Sequence, residues 1–563
     1  MKLFFTPYIY SLFFFVGIHN LQAQKIELKI IDSDSINTSI LNTIAFSRFH
    51  QDEKSVYNES DSISKKLTKI GFINNYVTTI KKQDSIYTAF YSLGENKKSI
   101  TIYYDSNSID LNNIKTFSSD FSENYFKITT NTISTVLNSL VNQLEKDGNS
   151  FAEISLKNIS TINDELFAYL HINKTIRRKI DDISVNGYVN FSKSFVKHRL
   201  NLKKGTVFNT DKLKFASETI QTLPFVSEIK PPEVLFTNDS TTVYLYLQKN
   251  KSNKFDGLIG FSSDEKGKLY FNGYLDLLLN NIFNKGENVS INWKSNGNDI
   301  KRFNLSVETP YIFNSPVTPR ASFNIHKQDS TFLNIRALID LSYAINPQNS
   351  ISAKFQTEKS NELINDNSQN NINEFSNLFY GISYTYRKVN PFKPFQNKFF
   401  FNINALWGNR TLTLDSKKSA QRKYELTASY NWTLNQKNSI FIKNNNALFT
   451  SDKLFTNEIY RIGGSNFIRG FDEESIFTST YSILNLEYRY HLANLSYLYS
   501  ITDFAYILND IQNDSEQLYS IGLGYTYKIK SGVIDVSYAL GKTSELPFDF
   551  NNSKFHIKLI QFF

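Results

Sequence analysis

The chain has 563 residues, with 62 Lys and Arg against 53 Asp and Glu. It contains no cysteine, so a small disulfide scaffold is excluded and the fold must rest on packing and hydrogen bonds. The basic excess is spread along the chain, unlike the one-faced Lys/Arg footprint of nucleic-acid binders, so no nucleic-acid partner is expected.

The chain opens MKLFFTPYIYSLFFFVGIHNLQAQ, in which Lys2 precedes an apolar run from Tyr8 to Ile18 and Ala23 offers a small residue before Gln24. The run is too short to span a bilayer and reads as a secretory signal peptide over residues 1–23, with an ordinary buried helix as the alternative. Export is therefore expected. The remainder is longer than one core usually organises, so several domains are expected. Aromatics make up 15% of the chain, and Trp293, Trp407 and Trp432 all fall in its C-terminal half, which predicts two architectures in sequence.

From residue 24 to about 250 the pattern mixes helix and strand. In its last part RKIDDISVNGY reads as a strand, SKSFVKHRLNLKKG as a helix and NTDKLKFASETIQTLPF as a second helix capped by Asn209 or Thr210. VSEIKPPEVLF and STTVYLYLQKN then read as paired strands. Residues 131–174 repeat the later part of this order, and residues 60–105 do so again, with SITIYYD as a final strand. The spacing predicts three diverged copies of one α/β module, at 24–105, 106–176 and 177–250, against the alternative of one irregular α+β domain.

From residue 251 the grammar becomes period two. KLYFNGYLDLL sets Leu269, Phe271, Gly273, Leu275 and Leu277 on one face and Lys268, Asn272 and Asp276 on the other. QLYSIGLGYTYKIK alternates in the same way, apolar outward and polar or small inward. Sixteen such segments run from KFDGLIGF near residue 254 to KFHIKLIQFF at the end. An even number of segments of about ten residues, with aromatics near strand ends, predicts a transmembrane β-barrel over 251–563. A soluble sandwich or propeller is the competing fold.

Catalytic chemistry is hard to find. His50, His171, His198, His326, His491 and His556 show no ligand-like spacing, so no metal is expected. Ser62 and Lys65 match S-x-x-K inside a predicted helix with no companion motif, which suits a solvated face. No phosphate loop, H-E-x-x-H or G-x-S-x-G occurs, and neither an enzyme nor a cofactor is expected.

One stretch breaks the alternation: GGSNFIRGFDEES, residues 463–475, between the eleventh and twelfth strand-like segments. Here the chain resembles the BamA/TamA-like superfamily of outer-membrane assembly and secretion proteins, of the bacterial surface antigen type, which join periplasmic POTRA domains to a sixteen-stranded barrel. The resemblance rests on Gly463, Gly464, Arg469, Gly470 and Phe471, and on the strands that follow. ILNLEYRY carries Glu487 at an inward position beside Asn485 and Arg489, and YSITDFAYI carries Asp503, with Ala505 where relatives usually have glycine. KSGVIDVSYALG resembles the family's penultimate strand. The resemblance implies that loop 463–475 folds into the barrel and that Arg469 pairs with Glu487 and Asp503. A guanidinium in a narrow lumen needs carboxylates, and its planar fork suits them. Three modules are fewer than the five that the best-known assembly members often carry.

The implied function is that of an insertase or translocase which accepts unfolded β-rich proteins through its modules. The barrel would open between its first and last strands at Gly257, Leu258, Gly260, Leu559, Ile560 and Phe563. Its partners would be outer-membrane lipids and unfolded outer-membrane or secreted clients, with accessory lipoproteins or periplasmic chaperones as further candidates. One alternative is a two-partner-type pore for a single exported protein; such pores typically have two POTRA domains and an N-terminal plug helix, for which the strand-like residues from Ile26 leave little room. Another is a passive channel.

Overall fold

The computed structural model describes residues 25–33, 38–162, 165–263, 269–296, 300–329, 331–363, 371–389, 397–414, 417–493, 496–529 and 532–561. The expected signal peptide and Phe563 lie outside the described residues.

Three small sheets precede the barrel, and all follow one plan. A first strand pairs in parallel with the last strand of an antiparallel hairpin, and helices between them cover one face. In the first module Ile26–Asp32 pairs with Ile86–Ser92, which pairs with Tyr76–Gln83. The helix Glu53–Lys69 starts where the Asp52 side chain accepts the Ser55 N–H at 2.7 Å, earlier than the apolar pattern alone implies. Its buried residues Val56, Ser60, Ile63 and Leu67 recur at helical spacing and meet Leu28, Tyr87 and Tyr91 in one core.

The second module corrects the sequence reading of SITIYYD. Ser99–Tyr103 does not close the first sheet; it pairs in parallel with Glu165–Asn173 and opens the second. The physical reason is the short link, Leu93–Lys98, between two strands of similar composition: periodicity marks both but not the sheet each joins. Tyr125–Thr129 adds to the outer edge of Ser99–Tyr103, with Asp120–Phe121 beyond it. In the third module Asp182–Asn186 pairs with Thr241–Lys249, which pairs with Val226–Phe236. Asn209 caps the helix Thr210–Ile220 by accepting the Lys212 N–H at 3.0 Å. Among the described residues the outer edge of Asp182–Asn186 carries no strand.

The chain divides into two compact units, residues 1–177 and 178–563, so the third module belongs with the barrel. Turns at one end of the barrel strands complete this module's core. Tyr311, on the turn after the fourth strand, packs edge-on against Phe195 and stacks with His198 at 5.3 Å between ring centroids. Asn281, after the second strand, donates to the Tyr188 hydroxyl at 2.9 Å, and Arg199 donates to the Pro347 carbonyl at 2.9 Å.

The sixteen-stranded sheet is antiparallel and follows chain order throughout, from Lys254–Ser263 to Lys554–Gln561. Alternation decides which side chains face outward from the sheet. In the twelfth strand, Thr480–Ala493, Leu484, Leu486 and Tyr488 are exposed outward while Asn485, Glu487 and Arg489 are buried inward. The fourteenth, Asp514–Ile529, turns Tyr519, Ile521, Leu523 and Tyr527 outward, with Ser520, Gly522, Gly524 and Thr526 at inward positions. The polar-or-small expectation fails at one level of the lumen. Phe449, Ile483 and Leu518 point inward and are buried because a loop fills the space they would otherwise share with water; Phe375 and Phe379 point inward and are buried as well, Phe379 under the Lys423 side chain.

Candidate functional site

The filling segment is the connection between the eleventh strand, Asn438–Ser451, and the twelfth. It folds back as a short hairpin, Tyr460–Ile462 against Ile476–Thr478, whose far end is GGSNFIRGFDEES. Ile462 and Ile468 are fully buried against Ile483, Ala505, Ile507 and Leu518 of the wall, with Phe467, Phe471 and Tyr481 around them. Ala505 thus sits in an apolar contact, which explains how a methyl group is accommodated at this inward position.

Glycines make the geometry reachable. Gly463, Gly464 and Gly470 have φ of 111°, 83° and 83°, the left-handed region that side chains disfavour. A Cβ on Gly463 would overlap the Asp472 carbonyl, and one on Gly464 the Glu473 side chain. At Gly470 it would lie 2.6 Å from the Gly541 nitrogen and 2.7 Å from the Leu540 carbonyl carbon, both backbone atoms of the fifteenth strand, Gly532–Lys542. Gly470→Ala is therefore expected to displace the tip. It adds about 1–2 kcal/mol of backbone strain to an overlap that no side-chain rotation can relieve. Limited proteolysis should cut loop 463–475 in this variant while leaving the barrel intact. Gly205→Ala, at φ 79° with nothing near the added carbon, carries the strain without the overlap and should leave the loop protected.

At the tip the two carboxylates converge on one guanidinium. Arg469 donates from Nε to Asp503 Oδ2 at 2.9 Å and from Nη2 to Asp503 Oδ1 at 2.6 Å. Its backbone N–H donates to Oδ2 at 3.0 Å, and Nη1 donates to Glu487 Oε1 at 2.5 Å. Asp503 lies on the thirteenth strand, Ser496–Asn509, opposite Asn485. Glu487 is two positions beyond Asn485, hence diagonal to Asp503 on the same inner face. Arg469 and Glu487 are each 7% exposed and Asp503 2%, so these are desolvated ion pairs.

Sequence reasoning placed Arg489 inward but missed its role. It donates from Nε to Glu487 Oε2 at 2.8 Å and lies over the Phe441 ring at 4.0 Å. Two guanidiniums and two carboxylates thus alternate, which leaves no net buried charge; the signal was two residues of spacing on one inward parity. Asn485 donates to the Phe467 carbonyl at 2.9 Å. The acidic run is also employed: Glu474 pairs with Arg302 of the fourth strand at 2.8 Å, and Asp472 with Lys554 of the last strand at 2.8 Å.

The expected seam lies where the sheet ends meet. The first strand is paired to the second from Lys254 to Ser263, and the last to the fifteenth from Lys554 to Gln561. Among the described residues no ladder joins the first strand to the last, although their backbones lie side by side. Gly257, Leu258 and Gly260 stand on the first strand; Leu559 and Ile560 stand on the last, opposite Ile534 and Val533. A cavity of about 990 Å³ lies between the loop tip and the strands flanking this line, bordered by Arg469, Phe471, Asp472, Lys554 and Ile557.

Comparison with known proteins supplies independent findings. The family model described as haemolysin secretion/activation protein ShlB/FhaC/HecB matches residues 341–527, and the POTRA model, described as surface antigen variable number repeat, matches residues 178–248. No curated protein matches the chain. Among solved structures the chain is similar to CdiB from Escherichia coli, at 14% identity and a TM-score of 0.52, covering 91% of this chain and 97% of that one. It is also similar to CdiB from Acinetobacter baumannii, at 16% identity and a TM-score of 0.50, covering 78% and 83%. At these identities the likeness is one of fold. BamA from Haemophilus ducreyi lacking POTRA domains 1–3 matches at 14% identity with a TM-score of 0.42, covering 76% of this chain and 92% of that one.

Proposed function

Taking as premise that the chain is an outer-membrane translocation or secretion protein of the BamA/TamA-like superfamily, with its POTRA modules in the periplasm, we propose that it passes unfolded β-rich clients through a laterally opening barrel. The observation that carries this reading is the pairing of an inward loop locked by Arg469 with a sheet whose first and last strands, among the described residues, are not laddered together. A locked plug next to an unlatched seam is what a gate needs; a passive pore needs neither.

The client would first meet the modules. An extended segment adds to a free sheet edge because the edge offers unpaired N–H and C=O groups, and Asp182–Asn186 presents such an edge on the module built onto the barrel. In lipid every backbone group must be satisfied, so closing the client's hydrogen bonds, as a new barrel or a completed export, supplies the free energy. No bond is made or broken and no cofactor is required. Glu487, Asp503 and Arg469 act by holding the loop, and Gly257 and Gly260 by weakening the strand that must part.

A second reading, a pore dedicated to one exported protein, is favoured by the description of the family matched over 341–527. Depletion of the protein followed by a census of outer-membrane and secreted proteins separates the two. Loss of many barrel proteins supports assembly, and loss of a single exported protein supports dedicated secretion. An unchanged census together with a steady ion current would overturn both in favour of a channel.

A further inference from the structure

The loop that carries Arg469 has a second attachment, made by residues that no sequence motif marks. Immediately before the hairpin, the segment Lys453–Glu458 lies against the wall formed by the sixth to tenth strands. Arg410 on the ninth strand, Asn397–Leu412, is 1% exposed and donates to the Lys453 carbonyl at 2.8 Å and to the Glu458 carboxylate. Its guanidinium lies over the Phe455 ring at 4.3 Å. Glu458, 3% exposed, also accepts from Gln421 Nε2 on the tenth strand at 2.8 Å and from the Phe455 N–H at 3.0 Å. Asn457 donates to Ser360 Oγ at 2.7 Å and to the Asn373 carbonyl at 2.8 Å, and its own carbonyl accepts from Asn334 at 2.6 Å.

Base and tip differ in what surrounds them. The cavity of about 990 Å³ borders Asn466, Arg469, Phe471 and Asp472, and none of residues 453–458 lines it. The tip therefore has free volume on one side, whereas the base is enclosed by wall. Between them stand Gly463 and Gly464, both at positive φ, where the backbone can change direction at low cost. Asp472 side-chain atoms are 70% exposed even while paired to Lys554, so that contact with the last strand is weak.

We propose that Arg410 is a positioning residue for the gate: by holding Glu458 it fixes the base of the inward loop to the far wall, and only the tip around Arg469 swings when the pore opens. Both ends are held by buried ion pairs, and surroundings separate them: the tip borders open volume into which it can move, whereas the base is enclosed by wall, so the tip is the attachment that a client displaces. The proposal rests on the translocase reading only for what the swing serves.

The test uses the full chain reconstituted in planar bilayers, with retention of a heat-resistant barrel as the folding control. Arg410→Gln and, separately, Glu458→Gln should each raise the steady ion current without client and expose residues 453–458 to protease. Glu458→Gln changes no strand residue, so it keeps the test available should Arg410→Gln fail to insert. Wild-type current and protection in both, or failure of both to form a heat-resistant barrel, would overturn the proposal. A disulfide between Ser360→Cys and Asn457→Cys should leave client traffic running; arrest by that link would show that the base moves. The current and protease readouts need no client, so their failure is distinct from failure of the translocase reading.

Discussion

Arg469→Ala should give a barrel that inserts and resists heat but whose loop 463–475 is cut by protease and whose client traffic falls sharply. The argument is electrostatic. The variant leaves Asp503 without its fork and without the tip's backbone donor held in place, and leaves Glu487 with Arg489 alone. Removing one member of a buried pair costs about 3–5 kcal/mol, and water in the lumen lowers that towards about 1–3 kcal/mol. A change of that size shifts the held-to-released balance of the tip by roughly 5- to 150-fold. The sixteen-strand ladder is untouched, because no hydrogen bond of the sheet involves Arg469. Arg469→Lys should restore only part of the protection, since an ammonium cannot make the forked contact to Asp503 and still reach Glu487. Glu487→Gln combined with Asp503→Asn should likewise release the loop, by stranding the guanidiniums of both Arg469 and Arg489. Full protection and full traffic in Arg469→Ala would remove the loop lock from the mechanism.

Half of that prediction was legible because period two fixes parity; the pairing of Arg469 with these carboxylates was what the family resemblance implied. Once ILNLEYRY and YSITDFAYI are strands, Glu487 and Asp503 must share the inner face, and a neighbouring Arg-Gly-Phe loop has carboxylates to meet. The second attachment was not legible in the same way. Arg410 and Glu458 are 48 positions apart and meet only through the path of a loop that carries no periodicity of its own. A signal did exist: Arg410 and Lys423 occupy inward positions, and a buried charge at lumen parity demands a partner; the strands on either side supply neither carboxylate, since Lys423 reaches Glu358 on the seventh strand and Arg410 reaches Glu458 of the loop. The apolar inward residue Phe449 carried the same message, since a water-filled lumen would not bury it. In the modules, hairpins and long helices were readable, whereas first strands of five to seven residues such as Ile26–Asp32 and Ser99–Tyr103 were not assignable to a sheet. Parallel pairing across the whole module leaves no local trace in sequence spacing.

Crosslinking the seam should have the largest effect of all, a complete arrest of traffic that reductant reverses. Among the described residues the first strand is laddered to one neighbour along Lys254–Ser263 and the last to one along Lys554–Gln561, so this line is held by fewer backbone hydrogen bonds than the rest of the sheet. Opening it exposes two edges of unpaired backbone, which is costly in lipid unless a client strand takes them up. A covalent bridge forbids that step without altering the loop. Disulfide geometry needs Cα atoms within about 7 Å and Cβ vectors that converge, so paired positions must share strand parity. Gly257 and Leu559 are both odd, the parity of the outward-exposed Phe255, Phe555 and Ile557, while Leu258 and Ile560 are both even. The pairs to build are therefore Gly257→Cys with Leu559→Cys and Leu258→Cys with Ile560→Cys, and mixed-parity pairs serve as controls that should not bridge. The natural absence of cysteine means that any bond formed is the intended one. Arrest by a seam bond, with loop 463–475 still protected, would place the moving part in the sheet. Unchanged traffic after a bond verified by mass would mean that clients cross within a closed wall, and lateral opening would have to be given up.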